Sequence, residues 1–182
     1  HNTAERILIM KYSVSLYSFY SALKAGTLSP MECIQKAKEL GFDAVEAVDF
    51  VNFQCPEEEL TQQALALKAE ADKQGLVFSS LAVAADLLNG CGGDTEKEIK
   101  KVKKYVDLAA LLGAPRMRHD ITKGAEPAQS YDSLLPRLAD AVREITEYAA
   151  GKGVVTMTEN HGFFSQDSER VEKLYTAVGH PN

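Results

Sequence analysis

The sequence predicts an α/β protein made of the first five strand–helix units of a (β/α)8 TIM barrel, and three observations predict it. First, an amphipathic helix, a glycine and a short apolar strand recur in that order, with the glycines at positions 41, 75, 113, 153 and 179. The spacing averages about 35 residues, the size of one βα unit. Second, strands that alternate with helices imply a parallel sheet joined by right-handed crossovers. Third, no G-x-G-x-x-G follows the first strand. A long, aromatic, hydroxyl-rich loop from Ser15 to Leu28 stands there instead, which favours a closed barrel over a dinucleotide-binding open sheet.

The elements follow in order. A first strand is expected at Met10-Lys11-Tyr12-Ser13-Val14. Ser29-Pro30-Met31-Glu32 is a capping box with proline at the first helical position, so a helix starts there. It runs to Leu40-Gly41-Phe42, and Ala44–Val48 is the second strand. Pro56-Glu57-Glu58-Glu59 puts acid into the next first turn, where the helix dipole favours it. Ala64, Leu67 and Ala71 sit at helical spacing, and Gly75 leads into the third strand, Val77–Val83. Asp94-Thr95-Glu96 opens another helix, with Leu108, Leu111 and Leu112 on one stripe. Gly113 precedes a fourth strand at Arg116–His119, and Gly151-Lys152-Gly153 precedes a fifth at Val154–Thr158. Val178-Gly179-His180-Pro181-Asn182 begins a further junction. Eight units need about 250 residues, so the chain reads as a barrel truncated after about five units. Residues 1–9 read as a leader or expression scar before a single domain over 10–182.

Composition narrows the function classes. The 182 residues are 45% hydrophobic and 25% charged, enough for a substantial core. A net charge of −6 argues against nucleic acid, which needs a clustered basic surface. The densest basic run, Lys97 to Lys104, is interrupted by Glu98, Ile99 and Val102 and reads as a solvated helix face. No apolar run approaches the ~20 residues of a membrane span. Cys33, Cys55 and Cys91 form no C-x-x-C pair, which fits a reducing, cytoplasmic setting.

In such barrels catalytic groups lie at the C-terminal strand ends and in the loops that follow. Glu159 ends the fifth strand, shares parity with Val155 and Met157, and is followed by Asn160, His161 and Gly162. It is either an oxygen ligand for a divalent cation such as Mg²⁺ or Mn²⁺, or an exposed carboxylate or cap near Ser165. At the fourth strand's end, His119 either meets a substrate hydroxyl or is held by Asp120 or a loop carbonyl. Arg118 either binds an anionic group or pairs with an acidic helix residue. Glu46 on the second strand either contacts substrate or forms a structural ion pair. His161 either orients Glu159 or is a turn residue. Tyr17, Phe19, Phe163 and Phe164 either wall a sugar or pack. Cys91, among Gly90, Gly92 and Gly93, has no base partner in the sequence and no case as a nucleophile.

Several of these segments together resemble a known family. Glu159-Asn160-His161-Gly162, the opening Tyr12-Ser13-Val14-Ser15-Leu16, the passage Glu39-Leu40-Gly41-Phe42-Asp43-Ala44-Val45-Glu46 and the closing His180-Pro181-Asn182 look like the sugar-phosphate isomerase/epimerase family. These are xylose-isomerase-like barrels that include ketose 3-epimerases and hydroxypyruvate isomerases, and the likeness covers roughly residues 10–182. The endonuclease-like branch fits poorly, given the acidic charge and four histidines. The resemblance implies one divalent metal (Mn, Mg or Co) bound by a Glu ending strand five, an Asp, a His and a Glu. Glu159 matches the first, and the other three fall past Asn182. It also implies an enediolate mechanism, in which metal bridges carbonyl and hydroxyl while two carboxylates move the proton; Glu159 would be one of them. The implied substrate is a small sugar or sugar phosphate. A lyase or dehydratase of the same barrels is the enzymatic alternative, and a non-catalytic subunit or sugar-binding protein is the other. An open half-barrel exposes unpaired edges, so homo-oligomerisation is expected to help it, and the chain by itself is expected to be inactive.

Overall fold

The computed structural model describes residues 10–124 and 129–182. Residues 1–9, read above as a leader or scar, lie outside the described residues. Five parallel strands form one sheet in the order of the chain: β1 (Ser13–Ser15), β2 (Ala44–Val48), β3 (Val77–Val83), β4 (Arg116–His119) and β5 (Val155–Met157). Helices fill the crossovers: α1 (Tyr20–Lys24) and α2 (Pro30–Glu39), then α3 (Asp49–Asn52) and α4 (Leu60–Gln74). The short turn α5 (Gly90–Gly93) and α6 (Thr95–Leu112) follow β3, α7 (Tyr131–Gly151) follows β4, and α8 (Ser168–Val178) follows β5.

Local chemistry sets these boundaries. Ser29 Oγ accepts from Glu32 N–H at 3.3 Å while Glu32 Oε2 accepts from Ser29 N–H at 2.7 Å, the reciprocal cap that starts α2. Asp94 caps α6 by accepting from Lys97 N–H at 3.0 Å. Asp167 caps α8 through Arg170 N–H at 2.8 Å. At the far end of α4, Gly75 takes φ 68°, a left-handed turn that a side chain would strain. The other four junction glycines are left-handed too.

Three boundaries depart from the sequence reading; one is the fifth strand, which is Val155–Met157 rather than Val154–Thr158. The first strand begins at Ser13 rather than Met10, because Tyr12 spends its backbone on the incoming loop. Its N–H donates to Asp43 Oδ2 at 2.9 Å, and its carbonyl accepts from Asp43 and Ala44 N–H. The stretch after β1 is no plain loop: Leu16–Phe19 form a 3-10 turn that runs into α1, with Leu16 fully buried.

Side-chain alternation divides the sheet into two faces. Val45, Ala47, Leu81, Val83 and Met117 are fully buried against the helices. There they join Leu67 and Ala71 of α4, Val102 and Val106 of α6, and Leu138 and Ile145 of α7 in one core. Each such side chain is worth about 1.5–3 kcal/mol of burial. The opposite face carries a different row. Ser15 pairs with Glu46 and Glu46 with Ser80, while Ala82 pairs with Arg118 and Arg118 with Met157. Val48 and Ala82 on this face are covered by Val51 of α3 and by Tyr20 and Leu23 of α1. On the outer edge of β5, Thr156 N–H donates to the Asn182 carbonyl at 3.2 Å, and Asn182 Nδ2 donates to the Val154 carbonyl at 2.9 Å.

Candidate functional site at the tips of the fourth and fifth strands

The two strands β4 and β5 bring a charged chain to their C-terminal ends. Arg118 points to the open face, where its Nε lies 3.2 Å from Glu159 Oε2 and its Nη1 lies 2.8 Å from Asp120 Oδ1. His161 Nδ1 sits 3.2 Å from the same Asp120 oxygen. Asp120 is buried, and its N–H donates to the Val83 carbonyl at 3.2 Å, so the hub is tied to β3 as well. Glu159 is half exposed. Gly162, two residues beyond Asn160, holds φ 79°, and a Cβ there would stand 3.3 Å from the Thr122 carbonyl. That close approach lets the β5 loop fold over the β4 loop and deliver His161 to Asp120.

A concavity of about 940 Å³ opens beside Glu159 along the edge of β5, reaching down to α7 and α8. Thr158, Asn160, His180 and Asn182 line it with Glu159. Thr158 Oγ1 is buried there and has no hydrogen-bond partner among the described residues.

The expected site residues do not all meet. Glu159, Arg118 and His161 come together, but the His161 ring bonds to Asp120 and, among the described residues, not to the Glu159 side chain. His119 turns to the helix layer and is 1% exposed, with Nδ1 3.0 Å from the Asp120 carbonyl. A carbonyl only accepts, so Nδ1 carries the hydrogen. Burial pushes the imidazole pKa down, against the pull of that carbonyl bond. Of the two readings for His119, substrate contact or structural hold, the Asp120 carbonyl supplies the hold, and His119 also lines the concavity beside Glu159. Glu46 stands apart on β2, its Oε2 accepting from Ser80 Oγ at 2.7 Å. Arg118 pairs with loop and strand-tip carboxylates rather than with a helix.

The aromatic residues separate in the same way. Tyr17 is exposed, stacks on Tyr20 at 5.7 Å and meets Phe50 edge-on at 5.7 Å. Phe19 and Phe164 pack into the core, Phe164 against Tyr131 at 5.2 Å. The Phe163 side chain lies outside the described set. Cys91 does have a partner, contrary to expectation: Sγ donates to Glu98 Oε2 at 3.2 Å. The hydrogen bond to that carboxylate, more than anything else, pushes the thiol pKa up.

The fit to a metal was tested on the same geometry. Among the described residues no three His, Cys, Asp or Glu side chains converge on a point. Glu159 offers one carboxylate, and one of its oxygens is engaged by Arg118. These residues do not by themselves make a metal site. Asp120 and Thr158 were not singled out from sequence. The signal for Asp120 was its place two residues past Arg118 on a strand end; nothing in the sequence marked Thr158.

Parallel βα units with charged groups at the C-terminal strand tips define a protein of the α/β barrel class. The chain matches the family described as xylose isomerase-like TIM barrel over residues 34–182, and it belongs to that family. No curated protein matches the chain. Among solved structures, it is similar to the probable 3-DHS dehydratase AsbF involved in petrobactin synthesis from Bacillus anthracis (21% identity, TM-score 0.71), covering 95% of this chain and 61% of that one. It is also similar to D-psicose 3-epimerase with D-tagatose from Clostridium cellulolyticum H10 (17% identity, TM-score 0.70, 94% and 61%). A xylose isomerase-like TIM barrel protein from Mycobacterium smegmatis in complex with magnesium is similar as well (16% identity, TM-score 0.69, 95% and 62%). At such identities the likeness shows the fold. The chain spans about three fifths of the length of these structures.

Proposed function

We propose that this chain carries part of the active face of a sugar isomerase or epimerase that moves a proton beside a carbonyl, with Glu159 as the proton-transferring carboxylate. The observation that carries the reading is Glu159 itself: a strand-tip carboxylate at the mouth of a 940 Å³ concavity, held from one side by Arg118. One oxygen faces the guanidinium, which fixes the carboxylate's direction and leaves the other for a substrate C–H or O–H. Asp120 holds Arg118 from behind, and His161 braces Asp120. Thr158 and Asn160 supply hydroxyl and amide groups for a polyhydroxylated ligand. A divalent metal (Mn²⁺, Mg²⁺ or Co²⁺) would bind through Glu159 and ligands that these residues do not provide, and its chemistry would be to stabilise an enediolate. Glu46, Arg118 and Tyr17 are proposed to contact the sugar; Phe19 and His119 contribute packing.

A dehydratase reading is favoured by one observation, the likeness to the probable 3-DHS dehydratase of Bacillus anthracis. It begins with the same proton removal and differs in losing water afterwards.

The test is solvent exchange. The protein from its complete reading frame is incubated in D₂O with a divalent metal and D-fructose or D-tagatose, and the carbon next to the carbonyl is followed by proton NMR. Deuterium incorporation with an epimeric or isomeric product supports the reading. Incorporation accompanied by loss of water selects the dehydratase. No incorporation with any ketose or aldose tried contradicts both. The 182 residues alone are expected to be silent, because they present one of the two carboxylates that the chemistry uses.

A further inference from the structure

A second cavity of about 460 Å³ lies away from Glu159, under the β1 and β2 loops, where α1, α3 and the start of α4 meet. Half of its lining is apolar, from Tyr20, Leu23, Leu28, Pro30 and Val51, and the rest is polar. Asn52 lines it and is 1% exposed. The orientation of its carboxamide is set by chemistry. Val48 N–H, a donor, lies 2.8 Å away, so the atom facing it must be the oxygen. Asn52 Nδ2 is therefore the other arm, and it is buried with no hydrogen-bond partner among the described residues. An unpaired buried donor of this kind is costly, and an acceptor that reached it from the cavity side would relieve that cost.

The remaining polar groups say what kind of acceptor. Gln63 and Gln54 spend their amide nitrogens on the Asn52 and Phe50 carbonyls. The Cys55 thiol is pushed up by burial and by Glu59 and Glu58, so it brings no negative charge. Both glutamates are exposed and lie outside the lining. Lys24, at the end of α1, is the one cation of the lining. The wall is otherwise hydrocarbon and aromatic, and the volume falls in the range of small-molecule sites, about 300–1,000 Å³.

We propose that this cavity binds a small carboxylate with an apolar body, its oxygens taken by Asn52 Nδ2 and the Lys24 ammonium and its body by Tyr20, Leu23, Leu28 and Val51. The site is separate from the Glu159 concavity and stands whether or not the sugar reading holds.

Benzoate is the probe, with neutral benzamide as its isostere, titrated into ¹⁵N-labelled protein. Saturable movement of the Asn52 side-chain amide pair, with benzoate bound more tightly than benzamide, supports the proposal. Lys24→Gln is expected to weaken benzoate by roughly tenfold, in line with the loss of a charge-assisted hydrogen bond. Asn52→Asp keeps the acceptor for Val48 N–H and removes the donor, so it is expected to abolish binding while the backbone spectrum stays folded. An Asn52 amide signal unmoved by ~10 mM benzoate, a range that still detects millimolar affinity, would overturn the proposal. So would binding that Lys24→Gln and Asn52→Asp leave unchanged, or an ordered water found on Nδ2 and undisplaced by benzoate.

Discussion

Glu159, Arg118, Asp120 and His161 form an alternating chain in which each group touches the next, so removing one frees another. Arg118→Gln leaves Asp120 buried without its cation and Glu159 without its guide. It is expected to lower exchange by at least tenfold while substrate affinity changes less, which separate kcat and KM measurements will show. His119 acts on stability instead. Its folded pKa lies below the free value, so the native state resists a proton that the unfolded chain accepts. Its contribution is therefore full above the unfolded pKa, about 6.5, and is lost as pH falls below that value toward the folded one. Denaturant midpoints between pH 7.5 and 5 should fall more steeply in the parent than in His119→Gln. The placement of Glu159 just past the fifth strand was legible in the sequence, because it follows the apolar, period-two run that ends at Met157. The His119 direction was legible too, through parity: Met117 faces the core and Arg118 the opposite side, so His119 returns to the core. Asp120 as a hub was not legible, since it depends on β5's loop folding over β4's.

At the scale of elements, the reciprocal cap at Ser29 and the close approach at Gly162 make the sharpest predictions. Ser29→Ala removes an acceptor from the start of α2 and should cost about 1 kcal/mol, a Tm decrease of about 2–4 °C for a chain of this size. Gly162→Ala sets a Cβ at 3.3 Å from the Thr122 carbonyl in a left-handed turn. Exchange should fall in that variant by more than its loss of stability explains, because the β5 loop must shift and take His161 with it; equal activity at equal stability would contradict this. Strands and helices were legible from periodicity and junction glycines, and β2, β3 and β4 fall where expected. The first strand and the segment after it were not. Tyr12 bonds sideways to Asp43, and Leu16–Lys24 coil into turns without a proline or capping signature.

On the scale of the whole molecule, five parallel strands lie in sequence order with helices packed on one face, and the other face is only partly covered. Val77 and Val155 on that face remain exposed, as an apolar row awaiting further cover would be. The order of motifs made the barrel family readable from the sequence. The central claim is that Glu159 transfers the proton, and the direct measurement is the rate of deuterium incorporation beside the substrate carbonyl in wild type and Glu159→Gln, at matched folding judged by thermal melts. The account predicts a drop of about 10²–10⁴-fold in the variant with little change in Tm, since Glu159 is half exposed. An unchanged rate in Glu159→Gln would contradict it.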